Sequence, residues 1–315
     1  MRFSLRQIEY FIATAECGSI TLASERINIS QPSISTAISQ LEAELGAQLF
    51  LRRHAQGLSL TPVGREMLVE AKKLLDNAQR LYLTVSEAMG TVQGNLSLGC
   101  LVTFAPMVLP QVSRSFMANY PNSRILPEVT DHETLLRKIE RAELDVALTY
   151  DLQVPDAFTF TPLAELPPYA MVALTDPLAG QSAVLLEELA ERNLILLDLP
   201  LSRDYFLGLF AQVGLVPKIA GRLHHQDVIR SMVANRMGYT IANIRPRSSD
   251  ALDGSPVHKL RIAGDQLPMR LGLLRSASHE PTRLVSAFVD HCTDMISNNY
   301  IPGMEPPFMA SRRVG

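Results

Sequence analysis

Arg52 and Arg53 stand side by side in LFLRRHAQGLSLTPVG, between two short apolar runs that turn around Gly57. That spacing reads as a β-wing. Two guanidinium groups there are suited to holding phosphates or entering a minor groove, provided a DNA-reading element lies beside them. Without such a neighbour the pair is a solvated loop. Just upstream, NISQPSISTAISQLEAELG places an amide, a proline and several hydroxyls at the start of a helical pattern. Catalytic chemistry is poorly provided for, with no nucleophile elbow, Walker loop, Gly-rich dinucleotide turn or metal-ligand spacing. Cys17, Cys100 and Cys292 are few, far apart and odd in number, which fits a reducing compartment better than a disulfide framework. His224 and His225 read as polar surface or pocket residues. The expectation is a binding protein rather than an enzyme, without metal or cofactor.

The elements that position these groups can be read from apolar spacing. Leu5, Ile8, Phe11, Ile12 and Ala15 fall on one helical face over residues 4 to 17, and Gly18 supplies a stop. A short helix follows over 20 to 27. Asn28 then tolerates turn geometry, Ser30 is a candidate N-cap, and Pro32 sits in the first turn, where its missing N–H costs nothing. Ile34, Ile38, Leu41 and Leu45 line the third helix and Gly46 closes it. Two readings fit this order: a helix-turn-helix or an ordinary three-helix corner.

Thr61-Pro62 marks another helix start. Met67, Ala71, Leu74, Ala78, Leu81, Val85 and Ala88 then alternate spacings of four and three, the pattern of a coiled-coil seam. A helix from 62 to 89 is roughly 42 Å long, which suits a dimerising linker. The alternative is an amphipathic helix packed on its own domain. After Gly94 the texture changes to strand-like runs at 96 to 100, 124 to 129 and 144 to 150, with helical patterns at 105 to 119 and 132 to 141. PYAMVALT, LILLD, IAGRL, YTIAN and MRLGLLRS continue the rhythm, and a last helix carries Leu284, Phe288 and Cys292. Such βα alternation predicts an open parallel sheet with ligands beyond the carboxyl ends of its strands.

Composition is compatible with all of this and selects none of it. At 315 residues the chain has room for about two domains at roughly 150 residues each. Its 29 basic and 32 acidic residues nearly cancel, so bulk charge points to no nucleic acid or membrane. Arg6, Gln7 and Glu9 interrupt the apolar residues of the N-terminus, which therefore lacks a secretory signal, and no run approaches a membrane span. The expected location is the cytoplasm, with no membrane partner.

From about residue 4 to 299 the chain resembles the LysR-type transcriptional regulators. The resemblance is most specific in LRQIEYFIATAECGSITLASERINISQPSISTAISQLEAELGAQLFLRR followed by LTPVG. It implies an N-terminal all-α winged helix-turn-helix over 1–61 and a linker helix over 62–90. It further implies a periplasmic-binding-protein-like (type 2) α/β effector domain over 91–300, with an irregular tail at 301–315. One α/β subdomain would cover about 94–163 and 267–300, the other about 164–266, with an effector between them. Double-stranded promoter DNA, a small polar or carboxylated metabolite, RNA polymerase and further copies of the chain, as dimer or tetramer, are the implied partners.

Carried over by position, Gln31, Pro32, Ser33, Ser35 and Thr36 open the recognition helix, supported by Arg52 and Arg53. Gln31 is suited to paired hydrogen bonds with adenine, Pro32 to a thymine methyl, and the hydroxyls to phosphates or base edges. Thr36 departs from the basic or larger polar residue usual there. The implied effector contacts are Leu101, Val102, Thr103, Thr130 and His132 on one side, and Ser202, Arg203, Tyr205 and Gln226 on the other. Thr103 and Ser202 could equally be N-caps. Asn243 stands where similar proteins often have proline, and Arg236 where they have a small residue. A thiol redox regulator using Cys100 is the nearest rival, and a solute-binding protein or enzyme a more distant one.

Overall fold

The computed structural model describes residues 3–53, 57–88, 91–278 and 280–306, which divide into two compact units, 1–90 and 91–315. In the first, α1 (Leu5–Cys17), α2 (Ile20–Ile27) and α3 (Gln31–Leu45) precede a hairpin of β1 (Phe50–Arg53) and β2 (Gly57–Leu60), and α4 (Pro62–Ala88) follows. Ser4 and Gln7 form a reciprocal capping box at the start of α1. Asn28 adopts the left-handed conformation, φ 53°, as the C-cap of α2, which turns the chain into α3. Ile8, Phe11, Ala23, Ile34, Leu41 and Leu49 are fully buried, and Phe11 meets Phe50 edge-on at 5.5 Å.

The second unit has two lobes. β3 (Gly94–Leu101), α5 (Ala105–Asn119), β4 (Ser123–Thr130), α6 (His132–Glu140), β5 (Val146–Tyr150) and β6 (Phe158–Leu166) build most of the first. The chain then passes to β7 (Tyr169–Ala173), β8 (Ala183–Val184), α7 (Leu186–Ala190), β9 (Asn193–Leu197), α8 (Ser202–Ala211), β10 (Lys218–Leu223), α9 (Gln226–Ala234), β11 (Thr240–Ala242) and β12 (Val257–Ile262). It returns through β13 (Met269–Ser276) and α10 (Arg283–Met295).

The first sheet runs β4-β3-β5-β13-β6 and the second β11-β7-β12-β8, with β9 and β10 paired in parallel and β9 bridged to Tyr239 beside β11. These sheets are mixed, not the open parallel sheet expected. β3, β4 and β5 are parallel, but β13 returns antiparallel between β5 and β6, and β7 pairs antiparallel with both β11 and β12. β13 enters the first sheet only after the chain has crossed to the other lobe and come back, whereas β11 and β12 reverse against β7 within the second lobe, before that return. β6 carries Pro162, which is tolerated because β6 lies at the sheet edge and its ladder with β13 is irregular there.

Residues 297–306 are irregular in backbone yet tied down. Asn298 Oδ1 accepts from Glu165 N at 2.7 Å, and the Tyr300 hydroxyl accepts from Gln111 at 2.7 Å. Ile301 and Met304 are buried, and Glu305 then joins Arg245 and Lys259 of the other lobe. No helix among the described residues is long and apolar enough to cross a membrane.

Candidate functional site

In the N-terminal unit, burial of Ile34, Ala37, Ile38 and Leu41 fixes which face of α3 turns outward. Gln31, Pro32, Ser33 and Thr36 are exposed and Ser35 is half-buried. Gln31 Oε1 lies 3.4 Å from the Thr21 hydroxyl, which orients the amide from α2. Ser30 takes the N-cap position, but its hydroxyl meets the Ser33 hydroxyl at 2.8 Å instead of capping a backbone N–H. Ile20, Gln31, Pro32 and Ser35 border one shallow depression at the head of the helix.

The wing is anchored to this helix by Glu42, whose carboxylate accepts from Leu49 N at 2.7 Å and Phe50 N at 3.1 Å. Nothing in the spacing of the sequence singles out Glu42 for this role. The backbones of Arg52 and Arg53 pair with Leu58 and Gly57, while their side chains lie outside the described residues, as does the turn at 54–56. Thr61 caps α4 by accepting from Gly64 N at 2.9 Å. Of the seam residues, Met67, Ala71 and Leu74 pack into the core of this unit; the side chains of Leu81, Val85 and Ala88 lie outside the described residues. The first part of α4 is therefore packed on its own domain.

In the second unit a narrow cleft, with about 20 Å³ of enclosed room, is lined by residues of both lobes. Thr103 and Tyr150 come from the first, and Ser202, Gln226, Thr240 and Asn243 from the second. Among the described residues none of its lining side chains is charged. Thr103 Oγ1, Gln226 Oε1 and Asn243 Oδ1 are buried without a hydrogen-bond partner, although the Tyr150 hydroxyl lies beside Thr103. Neither Thr103 nor Ser202 acts as an N-cap, and α5, α8 and α9 all start without a side-chain cap.

Thr103, Ser202 and Gln226 are thus brought together, and the remaining expected contacts are not. Leu101 is buried, and Val102 N donates to the Thr130 carbonyl at 2.9 Å. Thr130 Oγ1 faces Asp131, which caps α6. His132 is turned into the core, between Thr149 and the Leu152 carbonyl. Arg203 pairs with Asp198 and Asp204. Tyr205 borders an adjoining groove with Leu152, Gly208 and Leu267, and donates to the Leu267 carbonyl at 2.7 Å. Tyr150, Leu197 and Thr240 were missed, and Asn243 was noted only as a departure from the family pattern. Tyr150 and Leu197 end strands, where ligands of α/β sheets gather, and that position was the available signal.

Cys100 is fully buried on β3, and burial pushes its thiol far above the ordinary range, with Cys292 adding to the shift. No group of three His, Cys, Asp or Glu among the described residues could hold a metal.

Two family models match the chain: a bacterial regulatory helix-turn-helix protein, lysR family, over residues 5–65, and a LysR substrate binding domain over 90–297. HinK, a LysR family transcriptional regulator from Pseudomonas aeruginosa, is similar in structure, with a TM-score of 0.64 and 31% identity, covering 94% of this chain and 99% of that one. The transcriptional activator protein LysR of Escherichia coli is 26% identical, over 91% of this chain and 92% of that protein. A hydrogen peroxide-inducible genes activator of Pectobacterium carotovorum is 28% identical, over 81% and 86% respectively.

Proposed function

The chain belongs to the LysR family of bacterial transcriptional regulators, and from that premise we propose that it reads promoter DNA and responds to a small polar or carboxylated metabolite held between its C-terminal lobes. The observation that carries the reading is the head of α3, where exposed amide and hydroxyl groups stand on a helix whose opposite face is locked in the core. Gln31 would pair with a base edge, Pro32 would meet a thymine methyl, and Ser33, Ser35 and Thr36 would bond bases or phosphates. Arg52 and Arg53 on the wing would hold phosphates. In the cleft, Thr103, Ser202 and Gln226 would touch the effector directly. Leu101, Val102, Thr130, His132, Arg203 and Tyr205, which do not line the cleft, would lie behind the residues that touch it.

Copies of the chain would pair through α4 into dimers and tetramers, so that a change in lobe geometry repositions the winged helices and their contact with RNA polymerase. Genomic footprinting of the full chain tests this reading. The expected result is a small set of dyad-symmetric promoter sites, and binding spread evenly along the genome would overturn it. A redox reading is suggested by the name of the Pectobacterium relative, but the burial of Cys100 weighs against it.

A further inference from the structure

We infer that the molecule held in the cleft is uncharged at its polar end and donates hydrogen bonds there, a carboxamide being the simplest such group. This rests on the reading of the cleft as the effector site and narrows it.

Asn243 is 3% exposed, and its orientation is set from outside the cleft: Nδ2 donates to the Leu166 carbonyl at 2.7 Å and lies 3.3 Å from the Tyr205 hydroxyl. Turning the amide over would press Oδ1 against a carbonyl oxygen, so Oδ1 is the atom left to the cleft, buried and unpaired. Gln226 Oε1, on the first residue of α9, is a second buried acceptor without a partner. Leaving such an acceptor unmet costs about 1–3 kcal/mol, which a donating ligand recovers.

A carboxylate has no proton to give either atom. Nor would it find a cation, because the nearby arginines are engaged elsewhere. Arg203 pairs with Asp198 and Asp204, Arg222 reaches Asp198, and Arg230 donates to the Ser248 and Asp250 carbonyls. What the cleft does offer an oxygen is partial positive charge, since α5, α8 and α9 begin at or beside Thr103, Ser202 and Gln226 without side-chain caps. A carboxamide uses both features, its NH₂ facing the two acceptors and its oxygen the helix starts. Leu197, Phe206, Ile229, Ile244 and Met269 provide apolar wall for the rest of the molecule.

The test is ligand-observed NMR on the full chain with matched pairs: benzamide and benzoate, nicotinamide and nicotinate, butyramide and butyrate. Gln226→Met removes one acceptor at nearly constant shape, and circular dichroism checks its fold. Each amide is expected to bind about tenfold tighter than its acid, roughly 1.4 kcal/mol, and the ratio should fall toward one in Gln226→Met. Tighter binding by the acids, weakened by Gln226→Met, would overturn the carboxamide while leaving the cleft as effector site. An amide preference that Gln226→Met leaves unchanged also overturns it, and silence from all six compounds overturns both readings.

Discussion

His132 Nδ1 lies 2.6 Å from the Thr149 hydroxyl, and its other ring nitrogen donates to the Leu152 carbonyl at 2.9 Å. A carbonyl can only accept, so Nε2 carries the proton, and in the neutral ring Nδ1 accepts from Thr149. This imidazole belongs to the core of the first lobe.

Burial lowers the His132 pKa below its ordinary 6.5, against a smaller upward pull from the Leu152 carbonyl, Asp131 and Asp151. The folded state then holds this proton less tightly than the unfolded state. Its contribution to stability is present above about pH 6.5 and is lost as pH falls through that value toward the folded pKa. Thermal unfolding of the second unit should show this acid-side loss. His132→Gln should flatten part of it, leaving the share of His291, which burial also depresses. At higher pH the variant should cost about 1–3 kcal/mol, because Thr149 and Leu152 lose a partner. An undiminished acid slope in His132→Gln would refute the assignment.

Gln31→Ala should weaken binding to the cognate site by about 1–3 kcal/mol and relax preference at one base pair, with little effect on random DNA. Arg52→Gln should instead weaken all sequences alike and lower the salt slope by about one. Fluorescence anisotropy at several salt concentrations separates the two. Equal losses on cognate and random DNA for Gln31→Ala would remove it from base reading.

Gly64 stands where the wing folds back on α4, and a Cβ there would meet the Leu49 carbonyl oxygen at 2.2 Å. The glycine of LTPVG is thus required by close backbone approach. Gly64→Ala should destabilise the N-terminal unit by about 1–3 kcal/mol, visible in its thermal unfolding. DNA affinity should fall with it while the cleft is unaffected. A variant of wild-type stability would show that Leu49 moves aside.

These positions mark how far the chain could be read beforehand. Local signals were sufficient for the N-terminal unit: periodic apolar residues, Asn28 in its left-handed turn and Thr61 as a cap all depend on neighbours within a few residues. β6 went unread because Pro162 breaks its pattern, and only the edge position revealed by the sheet makes that proline harmless. Strand direction was equally hidden, since β13 is antiparallel only because the chain has crossed to the other lobe and back. In the cleft, Thr103, Ser202 and Gln226 were legible as polar residues where strands give way to helices. His132 was misjudged because its partners, Thr149 and Leu152, lie 17 and 20 residues on and draw the ring inward.

Mild peroxide should leave DNA binding unchanged. The Cys100 thiol is fully buried and burial raises its pKa, so little thiolate exists to react. Gel-shift titration before and after treatment is the measurement. A change in affinity that Cys100→Ser abolishes would restore the redox reading.

The segment after α10 ties the lobes together. Asn298 and Tyr300 hold the first lobe, and the Glu305 carboxylate lies 3.2 Å from Arg245 and 3.1 Å from Lys259 in the second. The Lys259 side chain is 6% exposed and that of Glu305 33%, so the cation is the member that depends on the pair. Burial lowers the Lys259 pKa, and Glu305 works against that shift, keeping the ammonium charged. Glu305→Gln leaves Lys259 to the Pro246 carbonyl, 2.5 Å away, and should cost about 1–3 kcal/mol, less than a fully buried pair because Glu305 is partly solvated. If the cost is that of a stranded charge, adding Lys259→Met should recover part of it, since removing both partners of a buried pair is often nearly neutral. A Glu305→Gln change within about 0.5 kcal/mol of wild type would reduce this pair to an ordinary surface contact.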